Sequence, residues 1–380
     1  MSDLFVFAGE VSGDLHGEEV LRSLKELSPS LRVVGVGGPR MRSVGMECVM
    51  PMEEFQVMGF VDVFFALPKL MKKFYALSRT ILEMQPKAVL FIDYPGFNLR
   101  LATHLRKKGF QGKICHYISP SVWAWGKKRI PLMAKTLDLL MTIFPFEAPL
   151  FSQTALDVQY VGHPLVSRIA HYKYQDIFLP KEKRLISLFP GSRKKEILRN
   201  LSFQLQAAKT LKEKYPDLLF AISVSQEQFI PLIEQKAKEL GIESPLLVGS
   251  DKTYELMRAS HAAIAKSGTV TLELALHQIP TVVTYAISPL DLLIARDLLR
   301  IRLSYYSLPN LILNEEVFPE LFGPNFTLER LITSLEPLLS SEARERCLEK
   351  CKEVCQKLQT KEASQEVAAL LNTQMATSSL

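Results

Sequence analysis

Short apolar runs alternating with longer amphipathic stretches constrain this chain more than any other feature, because that rhythm builds βα units around a mainly parallel sheet. In the first half the runs are Leu4–Phe7, Leu31–Gly35, Ala88–Ile92, Ile114–Ile118, Leu139–Ile143 and Val158–Val161. Tyr172–Lys183, charged and aromatic with Pro180 inside it, reads as a linker. The rhythm then restarts with Leu185–Phe189, Leu218–Ser223, Pro245–Val248, Ala262–Ala265 and Thr281–Thr284. The expected fold class is α/β, with two Rossmann-like domains, residues 1–170 and 171–340, facing a cleft. Residues 341–380, wholly helical in pattern, are expected to pack back toward the first domain. A chain of 380 residues is long for one core, and its 47% hydrophobic content supplies two.

The same composition bounds the function. No apolar run reaches the roughly 18 to 20 residues of a spanning helix, so any membrane contact is expected to be peripheral. The five cysteines are odd in number, and Cys347, Cys351 and Cys355 recur every fourth residue on one helix face. That spacing reads as packing, without metal, in a reducing cytoplasm with no cleavable signal. The net charge of +6 gathers partly in clusters, among them Lys69 with Lys72–Lys73, Lys127–Arg129 and Arg193–Lys195. These suit an anionic ligand or membrane surface, or are simply solvated helix ends; they are too scattered to favour nucleic acid.

Ligands of doubly wound sheets bind at the carboxyl ends of the strands, so the loops after the runs are the candidates. Ala8–Gly17 offers Gly9 and Gly13 for close backbone approach, with Glu10 beside them. There Ser12 to Asp14 cap a helix expected near Leu15, and His16 acts as base, donor or mere packing. Asp93, at the tip of an apolar strand in Asp93–Asn98, is expected to lose water and rise in pKa, as a base requires, unless it is a structural cap. His116–Arg129 places Ser119, Trp123 and Trp125 beside three cations, a combination suited to sugars and phosphates. In the second half, Gly191, Ser192 and Arg193 follow a strand and precede a helix. Ser267, Gly268 and Thr269 do the same, as an anion seat or an ordinary capped helix. Glu273, four residues past Thr269, faces the same side, where a ribose would lie. Val57–Phe74 breaks the rhythm: Met58, Phe60, Phe64, Phe65 and Leu67 with Lys72 and Lys73 fit an interfacial or acyl-lining helix, or a core helix with snorkelling lysines.

With these stretches laid out, the chain resembles the lipid-A-disaccharide synthases, glycosyltransferases of the GT-B fold. The resemblance rests on AGEVSGDLHG (8–17), GGPRM (37–41), VMGFVDV (57–63), DYPGFN (93–98), HYISPSVWAWGKKRI (116–130), FPFE (144–147), VGHPL (161–165), PGSRKKEI (190–197), SGTVTLE (267–273) and SLPN (307–310), in that order along nearly the whole length. It implies transfer from UDP-2,3-diacylglucosamine to 2,3-diacylglucosamine 1-phosphate (lipid X), with inversion, no cofactor and no metal. It further implies Asp93 as general base, Arg193 with Ser267–Thr269 on the leaving diphosphate, Glu273 on the ribose and Asn310 in the donor site. Gly9, Glu10, Ser12, Asp14, Asn98, Ser119 and Trp123 would shape the acceptor side. His16 is not uniform in the family, so it would assist or bind acceptor phosphate, and Lys266 and Val270 stand where small residues are common. The implied location is the cytoplasmic face of the inner membrane, on its anionic surface; a homodimer is left open. A UDP-N-acetylglucosamine 2-epimerase and an inactive sugar-nucleotide or lipid-binding protein are the competing readings, separated by acyl dependence and by turnover.

Overall fold

The computed structural model describes residues 3–55, 60–124, 126–176, 183–287, 303–358 and 361–377. The chain forms two compact units, one of Met1–Ser167 with Leu358–Leu380 and one of Arg168–Lys357. The first holds a seven-stranded sheet in the order β3-β2-β1-β4-β5-β6-β7 and the second a six-stranded sheet in the order β10-β9-β8-β11-β12-β13, with every pairing parallel.

The apolar runs explain the centre of each sheet. β1 (Leu4–Ala8), β2 (Val33–Gly37) and β4 (Ala88–Ile92) are buried at every position, as strands covered by helices on both faces must be. β5 (Lys113–Tyr117), β6 (Leu139–Thr142) and β7 (Asp157–Tyr160) complete the first sheet toward one edge, and β3 (Glu47–Pro51) closes the other. Phe5, Phe7, Phe55 and Phe91 pack in its core with Phe97 stacked on Phe7 at 5.0 Å. In the second unit β8 (Arg184–Phe189), β9 (Leu218–Val224), β11 (Ala262–Lys266) and β12 (Thr281–Tyr285) form the buried centre. β10 (Leu246–Gly249) and β13 (Glu320–Phe322) are the edges. β3 and β13 have no counterpart among the apolar runs: their residues are only partly buried, so no continuous hydrophobic signal marks them.

Helix α1 (Val11–Leu27) starts four residues before the position expected from Ser12–Asp14, with Glu10 at its N-cap and no capping side chain. Asp14 does not cap it. Its buried carboxylate crosses to the next βα loop and accepts the N–H groups of Gly38 (2.7 Å), Arg40 (3.1 Å) and Met41 (3.1 Å), holding the start of α2 (Pro39–Ser43). A Cβ at Gly38 would stand 2.4 Å from that carboxylate, so the contact requires glycine.

The helix Ala363–Thr377 lies along α1, where Ser364 and Asn372 meet Ser23 and Ser28 at 3.3 Å, and belongs to the first unit. The preceding helix Glu342–Leu358, grouped with it in the sequence reading, runs almost wholly in the second. Its Cys347, Cys351 and Cys355 are buried there, Cys347 donating to Val317 O. No helix among the described residues is long and apolar enough to cross a membrane.

Candidate active site

Each sheet has one place where neighbouring strands send their connections opposite ways, and there the loops diverge into a crevice. In the first unit that place is β1 beside β4, where Ala8 pairs with Ile92. Gly9–Glu10 and Asp93 therefore emerge side by side. In the second it is β8 beside β11, where Phe189 pairs with Ala265, so Pro190–Arg193 and Lys266–Thr269 also emerge together. The candidate loops of the sequence thus converge within each unit.

Asp93 and Tyr94 both have φ of +48°, a left-handed pair that costs on the order of 1–3 kcal/mol per residue and is held from several sides. Asp93 N–H donates to Tyr117 O (2.9 Å), fully buried Asn98 donates from Nδ2 to Asp93 O (2.6 Å), and Tyr94 Oη donates to Phe55 O (3.2 Å). Asn98 is therefore a brace for Asp93. Burial pushes the Asp93 carboxyl up, against a lowering hydrogen bond from the Tyr94 backbone and the charge of His16. Glu10 is exposed as a residue, yet partial loss of water around its carboxyl and then the Asp93 charge push it up as well. His16, 13% exposed, sits edge-on to Tyr117 with Nδ1 buried and 4.0 Å from the Glu19 carboxylate. Gly9 is buried under Phe7 and Tyr94, and Ser12 is exposed on the first turn of α1.

Glu10 and Asp93 open on a groove of about 900 Å³. It runs along the face of α4 (Pro95–Lys107) that carries Gly96, Arg100, Thr103 and Lys107, a length of ~16 Å at 1.5 Å per residue. One wall is the middle of α3 (Phe60–Met84), through Leu70, Met71, Phe74 and Tyr75, and Arg129 and Leu132 add a further margin. The groove is apolar along its wall and cationic at Arg100, Lys107 and Arg129. Sequence reasoning missed it; the spacing 96, 100, 103, 107 on one helix face was its available signal.

Ser119 and Trp123 do not line this groove: Ser119 is buried with Oγ on Pro120 O, and Trp123 packs edge-on against Phe146 at 5.7 Å. Trp125 and Met58 lie outside the described residues, as do the side chains of Phe60, Phe64, Phe65 and Leu67 in α3. Lys72 is exposed on α3, whereas Lys73 is tied to Glu54 at 3.1 Å and lies over the Phe55 ring.

In the second unit, a pocket of about 320 Å³ is lined by Gly191, Ser192, Glu196, Lys266, Gly268 and Thr269 among others. Arg193 caps α7 (Lys194–Lys214) with its side chain 80% exposed and paired to Glu196. Gly268 caps α10 (Thr269–Leu276), and Gly268, Thr269 and Val270 line the pocket, which places the positive end of the helix dipole at its wall. Ser267 Oγ reaches Tyr306 O at 3.4 Å. Glu273 is turned inward: it accepts from Tyr254 Oη at 3.1 Å, and burial pushes its carboxyl up against that bond and the charge of Arg168. Asn310 is fully buried, its amide bonded to Val317, Phe318 and Glu320. These bonds pin the first turn of the helix Leu308–Leu313 to the 317–320 segment, and Asn310 does not line the pocket.

Two parallel α/β units, each with its polar loops at the switch point, define the GT-B class. The UDP-N-acetylglucosamine 2-epimerase of Neisseria meningitidis, solved with UDP-GlcNAc bound, shares this fold with a TM-score of 0.64 at 11% identity, over 99% of this chain and all of that one. The kitacinnamycin glycotransferase shares it with a TM-score of 0.65 at 13% identity, over 98% of each chain. The chain belongs to the lipid-A-disaccharide synthetase family, whose model matches residues 4–373. Among curated relatives, the lipid-A-disaccharide synthase of Geobacter sulfurreducens is 34% identical over 97% of this chain and 96% of its own length. That of Chlamydia pneumoniae is 41% identical over 90% of this chain, and the match spans only 58% of that protein. The chain thus spans little more than half the length of its chlamydial relatives.

Proposed function

We propose that this chain is an inverting glycosyltransferase that joins UDP-2,3-diacylglucosamine to 2,3-diacylglucosamine 1-phosphate (lipid X). The products would be the β-1,6-linked lipid A disaccharide 1-phosphate and UDP, in lipid A biosynthesis. One observation carries the reading: the water-starved Asp93 opens on a groove that is both apolar and cationic, the combination an acylated sugar phosphate requires. A soluble sugar has no use for the apolar wall of Leu70, Met71 and Phe74.

In this mechanism Asp93, held by Asn98 and Tyr117, takes the proton of the acceptor 6-hydroxyl as its oxygen attacks the donor's anomeric carbon. The bond to the UDP diphosphate breaks in the same displacement, inverting that carbon. A carboxylate with a raised pKa is the stronger base, and its fixed left-handed backbone removes the need to reorganise during reaction. His16, whose charge reaches Asp93, would steady the ionised carboxylate. The α10 start and Arg193 would take the charge that builds on the leaving diphosphate, the electrostatic term that dominates many transferases.

We also propose that the protein works as a peripheral protein on the anionic cytoplasmic face of the inner membrane, docked through the segment 57–74, exposed Lys72 included, and nearby basic clusters. Replacing Phe64, Phe65 and Leu67 by Ser should reduce binding to anionic liposomes; unchanged binding would refute it. The epimerase reading has the fold in its favour but no use for the groove. Incubation with both acylated substrates decides: release of UDP with formation of the disaccharide supports the transferase, and isomerisation of an unacylated UDP-sugar supports its rival.

A further inference from the structure

The anion pocket of the second unit already contains an anion. Glu196, in the first turn of α7, accepts the Ser192 N–H at Oε2 (3.1 Å), while its Oε1 lies 3.0 Å from Arg193 Nη1 and 3.2 Å from Lys266 Nζ. Gly191 makes room for it: its φ is +126°, and a Cβ there would stand 2.6 Å from the Glu196 Cβ. A main-chain donor and two cations that a phosphoryl oxygen would seek thus converge on one internal carboxylate. Burial raises the Glu196 carboxyl, but the charge and hydrogen bond of Lys266, with the Ser192 and Arg193 bonds, hold it below its ordinary value.

Lys266 is the last residue of β11, directly before Ser267. Its side chain is 16% exposed and bends over the turn, with Nζ 4.0 Å from the position a Cβ would take on Gly268 and 5.1 Å from the centre of the Tyr285 ring. An ammonium group so placed needs an anion to offset the water it has lost. Glu196 supplies one now, and among the described residues that line the pocket it is the one acid.

We propose that Lys266 is a further catalytic cation, which contacts the leaving diphosphate of the donor, and that Glu196 holds its place until the donor arrives. The inference rests on the second unit being the UDP-sugar unit. A diphosphate brings more charge and more acceptor oxygens than the single carboxylate, so Ser192 N–H, Arg193 and Lys266 transfer to it. Glu196, 18% exposed and beside the exposed Ser192, turns toward solvent. As the glycosidic bond breaks, its electron pair passes to the diphosphate oxygen and the charge facing Lys266 grows. The cation therefore acts more strongly on the transition state than on the bound donor.

The test is titration calorimetry of the full chain with UDP and with uridine, for wild type, K266M and E196Q, together with turnover of the donor. K266M should weaken UDP about 10-fold or more, leave uridine unchanged and lower kcat by a further factor of about 10², while K266R keeps most of the affinity. E196Q should bind UDP several-fold more tightly than wild type, because the competing charge is gone. UDP affinity within about twofold of wild type in K266M would overturn the proposal. So would weaker UDP binding by E196Q, which would make Glu196 a scaffold for the donors. Should K266M fail to fold, the sign of the E196Q effect still decides. Wild type that binds no UDP would instead overturn the reading of the whole unit.

Discussion

Glu147 is the least expected ionisable group in the first unit, and its replacement by Gln gives a prediction with a calculable size. The residue is 1% exposed, and its Oε2 accepts the Phe144 N–H at 3.1 Å. Burial nonetheless pushes its carboxyl from an ordinary 4.5 to about 8, against lowering bonds from the Phe144 and Ile143 backbone. The folded protein therefore binds this proton more tightly than the unfolded chain does. The stability it contributes is full below pH 4.5, where both states are protonated, and drains as pH rises toward 8, where the folded state must ionise too. At 1.36 kcal/mol per pH unit, wild type loses about 2 kcal/mol between pH 6 and pH 8 through this group alone. Gln keeps an oxygen for Phe144 and carries no charge at any pH, so E147Q escapes that loss. For a unit of this size the difference amounts to about 4–8 °C in Tm. Thermal unfolding followed by circular dichroism at both pH values reads it directly: the Tm of E147Q minus that of wild type should rise by that amount from pH 6 to pH 8. A difference that stays flat across the interval would refute the argument that burial governs Glu147.

Other residues yield equally definite outcomes. Asp14→Ala strips three N–H groups of their acceptor inside the first unit and should cost about 3 kcal/mol in denaturant unfolding, which an active-site role alone would not. Asn310→Ala leaves Val317, Phe318 and Glu320 without their buried partner, and should lower stability by about 3 kcal/mol while changing KM for the donor less than Arg193→Ala does. Thr103→Trp, placed on the groove face of α4, should raise KM for long-chain acceptors and spare short-chain ones. With Asp93 as the proposed base, the acid limb of the kcat/KM profile should lie above the ordinary range of an aspartate, because burial raises the pKa of that carboxyl.

The sequence made the centre of each sheet readable because β1, β4, β8 and β11 are buried on both faces, so their runs are apolar throughout or, in β8, interrupted only by the small buried Ser187. The edges β3 and β13 carried no such run. The switch-point loops were readable for a related reason: glycine, serine and charged residues stand out directly after a buried strand. What Asp14 does was not readable, since Ser-Gly-Asp is also what a helix cap looks like, and its true partners at Gly38–Met41 lie two elements away. Glu196 was hidden likewise among the charges of Lys194–Glu196, and only the fold brings Lys266 against it. The groove needed α3, α4 and Arg129 in place before its residues became one surface.

The central claim is a division of labour, with a desolvated base in the first unit and a nucleotide seat in the second. Asp93→Asn tests it most directly when single-turnover UDP release and UDP affinity are measured on the same preparation. The account predicts release slowed by several orders of magnitude with UDP affinity close to that of wild type. Near-normal release would contradict it.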